Sequence, residues 1–200
     1  MIPDGYTDLA PGKIASVVTY LETHERPAAR GPAAGANEAC VRLKLVNDPD
    51  LDWYRALFRR TGAQWLWFGR LEMSDEELRN ALCRPTTELL LAESEAGEIG
   101  MAELDRSKPT EVEIAYFGLF EEAIGRGLGW PFMAALLERA WRGEPKRVWL
   151  HTCTLDGPGA LGFYVKCGFR PYKRAVEVAD DPRLRGVLPE HAAPQVPIIR

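Results

Sequence analysis

The chain has 200 residues, of which 46% are hydrophobic and 27% are charged, and its formal net charge is −4. These values are ordinary for a soluble globular chain with one sizeable core, and the acidic balance excludes the basic surface that a nucleic-acid-binding domain needs. No apolar run could span a membrane, no secretory signal is visible and the four cysteines are irregularly spaced, so we expect a cytoplasmic protein with reduced thiols.

The N-terminal region, residues 1–40, is expected to form an arm of one strand and one loop. Residues 14–21 are rich in β-branched side chains, which predicts a strand. Residues 26–36 are rich in proline, glycine and alanine, which predicts a loop or linker. The main domain should then cover residues 41–180. Residues 181–200 are rich in proline, so we expect an irregular C-terminal tail.

The first part of the main domain is predicted to contain one strand and two helices. Residues 41–46 alternate between apolar and polar side chains, which is typical of a half-buried strand. Residues 50–60 carry three aromatic side chains at helical spacing, which predicts a short helix. A second helix should begin after Ser74, because Ser74 and Glu77, three residues apart, match a capping box.

The second part of the main domain is predicted to be mostly strands. Residues 87–92 and 98–104 flank a hairpin turn at residues 93–97, and a strand over residues 111–119 follows a break at Pro109. After an apolar helix, the pattern predicts a strand, a helix and a last strand over residues 147–154, 158–167 and 169–178. This order predicts an α/β (or α+β) domain, a mixed central sheet with helices on both faces.

Three glycines within five residues, Gly125, Gly127 and Gly129, stand directly before the apolar helix. Glycine lets the backbone close around a ligand without a Cβ in the way. The first amides of a helix lack internal partners, and together with the helix dipole they favour an anion. The turn therefore predicts a phosphate-binding site, with a purely structural start of the helix as the alternative.

The spacing of the glycines excludes two common phosphate-binding motifs. A Walker loop needs the pattern GxxxxGK[ST], which the sequence does not contain. A dinucleotide fingerprint needs GxGxxG, but Trp130 and Phe132 stand where its third glycine is required. A different class of phosphate compound is therefore expected.

Two motifs resemble the GCN5-related N-acetyltransferase (GNAT) superfamily. The run Ile124-Gly-Arg-Gly-Leu-Gly129 is similar to the family's pyrophosphate loop, [RQ]-x-x-G-x-[GA], and departs from it only at Ile124. Residues 156–169 are similar to the segment that follows one strand later, N/D-x-x-x-A-x-x-F-Y-x-x-x-G-F. The strand over residues 113–119 also aligns, so the resemblance covers residues 86–177.

The resemblance implies the acyl-CoA N-acyltransferase fold and a donor substrate, acetyl-CoA, whose acetyl group is transferred to a primary amine by direct attack in a ternary complex. In the family, the backbone of the strand before the glycine loop pairs with the pantetheine arm, a role that falls here on Leu119 and Phe120. The residues implied to hold the pyrophosphate and the rest of coenzyme A are Gly125, Arg126, Gly127, Leu128, Gly129, Trp130, Ala160 and Phe163.

The resemblance also assigns two catalytic roles. Tyr164 matches the tyrosine that protonates the coenzyme A thiolate, although it is also explained as a core aromatic residue. Glu113 matches the strand glutamate that deprotonates the amine, and the alternative is a solvated edge carboxylate. Strand periodicity places Glu113 on one face with Ala115 and Phe117, and an apolar surrounding there would raise its pKa. A water chain or His151 stays open as the base.

Other classes of function are weighed against this hypothesis. The pair His151 and Cys153 resembles half of a metal site, but the sequence offers no second pair, so no metal is expected. A non-catalytic acyl-CoA-binding module and a structural domain without ligand are the two alternatives to an enzyme. The acceptor side is expected near residues 53–58 and 65–68, whose aromatic residues core packing also explains. The identity of the acceptor and a homodimeric state are left open.

Overall fold

The structure, a computed structural model, describes residues 4–26 and 40–200, so the predicted loop over residues 26–36 lies almost wholly outside the described residues. Seven strands form one sheet: β1 (Lys13–Thr23), β2 (Arg42–Val46), β3 (Thr87–Ser94), β4 (Gly97–Asp105), β5 (Glu111–Leu119), β6 (Arg147–Cys153) and β7 (Arg170–Asp180). Four α-helices complete the fold: α1 (Leu51–Gly62), α2 (Asp75–Leu82), α3 (Gly129–Ala140) and α4 (Ala160–Lys166).

The strand order is β2-β3-β4-β5-β6-β1-β7. Every neighbouring pair is antiparallel except β5 and β6, which are parallel. The connection between these two strands contains α3, as a parallel pair requires. The predicted mixed sheet is confirmed, and β1, the strand of the N-terminal arm, lies inside the sheet between β6 and β7.

Alternation along β3 places apolar side chains on both faces of the sheet. Leu89 and Leu91 belong to a core cluster with α1 and α2, whereas Leu90 and Ala92 belong to a second cluster with α3 and α4. Successive strand residues point to opposite faces, so one continuous apolar run supplies two cores. The predicted placement of helices on both faces is therefore confirmed.

The starts of the first two helices are capped by side chains. The carboxylate of Asp50 accepts a hydrogen bond of 2.8 Å from the amide of Trp53. At α2, Ser74 and Glu77 form the predicted capping box, in which each side chain bonds the other residue's backbone amide. Both contacts satisfy amides that the helix itself leaves without partners.

Ser74→Ala is expected to lower the free energy of unfolding by about 1 kcal/mol, because it removes the N-cap acceptor. The amide and hydroxyl of Ser74 also lower the pKa of Glu77. The part of the stabilisation that depends on the Glu77 carboxylate is present above its ordinary pKa and is lost as the pH falls through the lowered value. Urea unfolding at pH 7 and pH 3 measures both effects, and Ser107→Ala in an exposed turn is the control.

A β-bulge interrupts β5 at Ala115. Glu103 of β4 pairs with Tyr116 and Leu104 with Ile114, so the residue between them has no partner. One extra residue reverses the alternation of the side chains that follow it. Phe117 therefore packs on the α3 and α4 side and Tyr116 on the α1 and α2 side. The prediction that Glu113 shares a face with Phe117 was wrong for this reason.

Strands β5 and β6 separate beyond the bulge. Their pairing ends at Ile114 and Leu150, while β5 continues to Leu119 and β6 to Cys153. The two strands therefore enclose a wedge in the middle of the sheet. This wedge opens toward the glycine turn, which follows the end of β5.

The C-terminal segment, residues 181–200, contains neither helix nor strand, yet it is folded onto the rest of the chain. Its residues Leu188, Ala192 and Ala193 form a buried cluster with Ile14 and Leu66. A buried ion pair organises the segment: the Nη2 atom of Arg183 lies 2.7 Å from Oδ2 of Asp181, and Nη1 donates to three backbone carbonyls of residues 192–196. The segment thereby supports the loop that carries Leu66.

Candidate active site

A cavity of about 580 Å³ lies in the wedge between β5 and β6. One wall is formed by β5 from Ile114 to Leu119, and the facing wall by His151 and Cys153 of β6 with the turn before α4. The loop over residues 65–69 closes a third side. The unpaired edges of two strands therefore face the cavity, and they offer backbone donors and acceptors to an extended ligand.

The glycine turn lies at the mouth of this cavity. Gly125 and Gly127 have φ values of 79° and 77°, in the left-handed region that glycine adopts without strain. A Cβ added at either position would meet nothing within 4 Å, so the backbone conformation and not the space requires glycine. In the described chain, none of the amides from Gly125 to Trp130 donates to a backbone carbonyl. The turn thus presents free donors at the start of α3, which favours an anion.

Four of the predicted coenzyme A residues line the cavity itself: Leu119, Gly129, Ala160 and Phe163. A Cβ built on Gly129 would lie 3.5 Å from Cε2 of Phe163 and 3.8 Å from Cδ1 of Leu119. Phe163 also stacks on Phe117 of β5, with ring centroids 5.9 Å apart. The starts of α3 and α4 therefore meet at the end of β5, as the two motifs predict.

Phe120 lies outside the cavity. Its side chain is fully buried in the cluster on the α1 and α2 side, beneath the guanidinium of Arg60. Its amide donates to the carbonyl of Ile99 at 2.8 Å, and its carbonyl accepts from the amide of Ala123 at 2.9 Å. Both backbone groups are thus bonded within the chain, which leaves Leu119 as the nearer partner for a ligand in the wedge.

Tyr164 lines the cavity from α4. Its ring makes edge contacts with Phe117, Phe163 and Phe169, and only 9% of the residue is exposed. Burial raises the pKa of Tyr164, and the negative charge of Asp156 raises it further. The phenol therefore keeps its proton at neutral pH, as a proton donor must.

The two candidate bases named from the sequence are neighbours. Oε1 of Glu113 lies 3.8 Å from Nδ1 of His151. Burial raises the pKa of Glu113 to about 7, and the charge of Asp105 adds to this effect while Lys108 and Arg70 oppose it. Burial lowers the pKa of His151, so its imidazole is neutral at pH 7. His151 lines the cavity and Glu113 lies behind it, so the sequence prediction placed Glu113 closer to the wedge than the structure does.

Asp156 is a cavity residue whose role the sequence did not reveal. Its carboxylate accepts hydrogen bonds from the hydroxyl of Thr152 at 2.6 Å, the amide of Cys153 at 2.9 Å and the indole of Trp67 at 3.3 Å. It thus joins the turn before α4 to the loop over residues 65–69. Asp156 opens the second motif, but no sequence pattern indicates its partner Trp67, which is 89 residues away.

The loop over residues 65–69, which includes the region 65–68 named from the sequence, lines the cavity, and Trp67 packs there on the α1 and α2 side of the sheet. A Cβ added to Gly62 would lie 2.4 Å from the ring of Trp67, and one added to Gly118 would lie 3.1 Å from it. Bare backbone at both positions lets the indole lie flat across the end of β5. The other predicted acceptor region does not reach the cavity, because Tyr54 and Phe58 are buried in the core.

Within residues 4–26 and 40–200, no three His, Cys, Asp or Glu side chains are grouped closely enough to hold a metal ion. Over the same ranges, each helix is too short or too polar to cross a membrane.

A model of the acetyltransferase (GNAT) family matches residues 51–169. A comparison with curated proteins gives no match. Among solved structures, the chain is similar to a functionally unknown conserved protein from Staphylococcus epidermidis ATCC 12228, with 15% identity and a TM-score of 0.54 over 85% of this chain and 64% of that chain. It spans less than two thirds of that protein's length.

Two further structures are similar over most of their own length. One is a GNAT family acetyltransferase from Elizabethkingia anophelis with acetyl-CoA bound, with 20% identity and a TM-score of 0.51 over 66% of this chain and 78% of that chain. The other is the spermidine/spermine N-acetyltransferase SpeG from Vibrio cholerae in complex with manganese ions, with 16% identity and a TM-score of 0.51 over 74% of this chain and 96% of that chain. At such identities the likeness concerns the fold alone.

Proposed function

The chain belongs to the acetyltransferase (GNAT) family, and on that basis we propose that it transfers the acetyl group of acetyl-CoA to a primary amine by direct attack in a ternary complex. The observation that carries this proposal is the wedge between β5 and β6, which ends at a turn of unbonded backbone amides. A strand-like arm that ends in a pyrophosphate fits such a site, because the arm needs strand edges and the anion needs amides.

The donor substrate would lie between the two strands. Its pyrophosphate would accept hydrogen bonds from the amides of Gly125 to Trp130, and its pantetheine arm would extend along the open edge of β5 past Leu119. Phe163 and Ala160 would contact the arm from α4. The thioester would then end beside Tyr164, whose protonated phenol can deliver a proton to the departing thiolate.

The acceptor amine would approach from the side of the loop over residues 65–69. An amine attacks only when it is neutral, so the site needs a base. Glu113, with its pKa raised to about 7, and the neutral imidazole of His151 both lie on that side of the sheet. A proton can pass from the amine to Glu113 through His151 or through water. The acceptor itself, the homodimer and the cytoplasmic location stay predictions.

Coenzyme A binding tests the proposal. At a hundredfold excess over its dissociation constant, coenzyme A should raise the free energy of unfolding by about 2.7 kcal/mol. Gly127→Glu should abolish this gain, because it places a negative charge at the anion site and strains a left-handed φ of 77°. Thermal and urea unfolding with and without the ligand measure the effect.

Gly143→Glu is the matched control. Gly143 follows α3, also has a positive φ of 83° and also has open space at its Cβ position, so the substitution causes similar strain away from the turn. This variant should lose stability but keep the full response to coenzyme A. If coenzyme A stabilises Gly127→Glu as much as the wild type, the glycine turn does not belong to the binding site. Binding without acetylation of any amine, amino acid or peptide would favour a non-catalytic acyl-CoA-binding module.

A further inference from the structure

A buried carboxylate lies behind the wall of the cavity. Glu103 of β4 is fully buried on the α1 and α2 side. The hydroxyl of Tyr54 donates to Oε1, and Arg70 donates to Oε2 from Nε at 3.2 Å and from Nη2 at 2.7 Å. Both carboxylate oxygens are therefore bonded, and the charge is balanced by one guanidinium.

Arg70 belongs to the segment between the short helical turn at residues 63–65 and α2. Residues 66–73 contain no helix or strand, yet this segment includes four residues that line the cavity, Leu66, Trp67, Phe68 and Gly69. The guanidinium of Arg70 also lies 5.4 Å from the ring centre of Tyr116, another residue of the cavity wall. Arg70 thus joins an irregular loop to the sheet directly beneath the wedge.

The energetics of this pair favour one position of the loop. A buried carboxylate without a cationic partner is strongly unfavourable, and two N–H groups on one oxygen give a charge-assisted contact with a defined direction. Any displacement of the loop that withdraws Arg70 leaves Glu103 buried and unpaired. An exposed contact cannot restrain the loop in this way, because water replaces a lost partner at little cost.

We propose that Arg70 is a positioning residue, whose pairing with buried Glu103 holds the loop over residues 66–73 in place as the acceptor wall of the cavity. This inference rests on the proposed function. It assigns to the pair the affinity for the amine acceptor and not the affinity for coenzyme A, because Trp67 packs on the α1 and α2 side of the sheet, whereas α3, which follows the glycine turn, packs on the other side. Trp67, held in turn by Asp156 at 3.3 Å, transmits the loop position to the turn before α4.

The test compares two variants with the wild-type chain. Arg70→Met alone leaves an unpaired carboxylate and endangers folding, so the decisive variant is the double substitution Arg70→Met with Glu103→Gln. In the double variant, the amide oxygen at position 103 still accepts a hydrogen bond from the Tyr54 hydroxyl, and neither a carboxylate nor a guanidinium is left buried without its partner. We expect amide hydrogen exchange in residues 66–73 to become about tenfold faster, and the acceptor KM to rise about tenfold. The dissociation constant of coenzyme A should change by less than about twofold.

Arg185→Gln is the matched control, because it removes a contact between the C-terminal segment and the same loop. Arg185 pairs with Glu72 at 3.0 Å, but its side chain is 54% exposed. Loss of this ion pair should therefore alter neither the amide hydrogen exchange of residues 66–73 nor the acceptor KM. Arg70→Lys is the conservative variant: it keeps the charge without the two-pronged contact, and should lie between the wild type and the double variant.

Three outcomes decide the inference. Unchanged exchange in residues 66–73 of the double variant would overturn it, whatever the activity. Equal losses in acceptor KM and coenzyme A affinity would also overturn it, because they would indicate a general loss of structure. If the wild-type chain binds coenzyme A but acetylates no amine, the proposed function fails, and the exchange rates alone then decide whether Arg70 holds the loop.

Discussion

Tyr164→Phe is expected to lower turnover by about 10²-fold while coenzyme A affinity stays within about twofold. The substitution keeps the ring and its edge contacts with Phe117, Phe163 and Phe169, so the cavity should keep its shape. It removes a phenol that burial holds in its protonated form. Without that proton the thiolate must leave as an anion inside a poorly hydrated cavity, which is unfavourable. Steady-state kinetics with a good acceptor, together with calorimetric titration of coenzyme A, separates the two effects.

Tyr116→Phe provides the comparison. Tyr116 also lines the cavity and burial raises its pKa to about 12, but it lies on the α1 and α2 side of the sheet. We expect its turnover to fall by less than about fivefold, because no leaving group would lie beside it. A large loss of turnover in Tyr116→Phe with none in Tyr164→Phe would indicate that the proton donor lies on the α1 and α2 side of the sheet. Full turnover in both variants would leave thiolate protonation to water.

Glu113→Gln is expected to lower turnover at pH 7 by about 10² to 10³-fold, if Glu113 takes the proton of the amine. A base works in its deprotonated form, so the wild-type kcat/KM should rise as the pH rises through about 7, the pKa to which burial raises Glu113. In the variant this rise should disappear. High pH should partly restore its turnover, because more of the free amine is then neutral in solution. A pH–rate profile from pH 5 to 10 measures both features.

The same pKa predicts an opposite effect on stability. The folded chain holds a proton on Glu113 up to about pH 7, whereas an ordinary glutamate loses it near the reference value of 4.5. The protonated Glu113 therefore contributes its whole stabilisation of the folded chain below pH 4.5, and this stabilisation is lost as the pH rises through about 7. At pH 8 Glu113→Gln should unfold at a higher urea concentration than the wild type, with the difference narrowing toward pH 5. A variant that is less active and more stable would exclude misfolding as the cause.

Glu111→Gln is the control on the same strand. The carboxylate of Glu111 bonds Nη2 of Arg147 at 2.8 Å, and this contact lowers its pKa, so it is a poor base at neutral pH. Its substitution should leave the pH–rate profile unchanged. Small and equal effects at both glutamates would exclude Glu113 as the base. In that case His151→Gln decides between the imidazole, 3.8 Å from Glu113, and a water chain.

Much of the fold could be predicted from the sequence, because its signals are local. The alternation over residues 87–92, the capping box at Ser74 and the glycines before α3 each depend on neighbouring residues. The same holds within each of the two motifs, residues 124–129 and 156–169, because each is a continuous run of the sequence. Their correct order along the chain was sufficient to predict the family, since the family match covers residues 51–169.

The contacts on the α1 and α2 side of the cavity could not be predicted in the same way, because they join distant residues. One unpaired residue, Ala115, reverses the alternation of β5, and no propensity distinguishes a bulge from a continuous strand. The parallel register of β5 and β6 places Glu113 near His151, and the bulge sends Phe117 to the other face. The buried pair of Arg70 and Glu103 spans 33 residues and has no sequence pattern of its own.

The sequence by itself therefore determined the order of strands and helices along the chain and the glycine turn before α3, since periodicity and backbone preference act over a few residues. Only the tertiary structure decided which groups the carboxylates of Glu113 and Asp156 contact. It also decided that Phe120 lies outside the cavity and that the C-terminal segment packs against Leu66. Those outcomes depend on strand register and on the burial of charge. Both are properties of the assembled sheet, because a group's partners and its access to water exist only after distant segments have packed together.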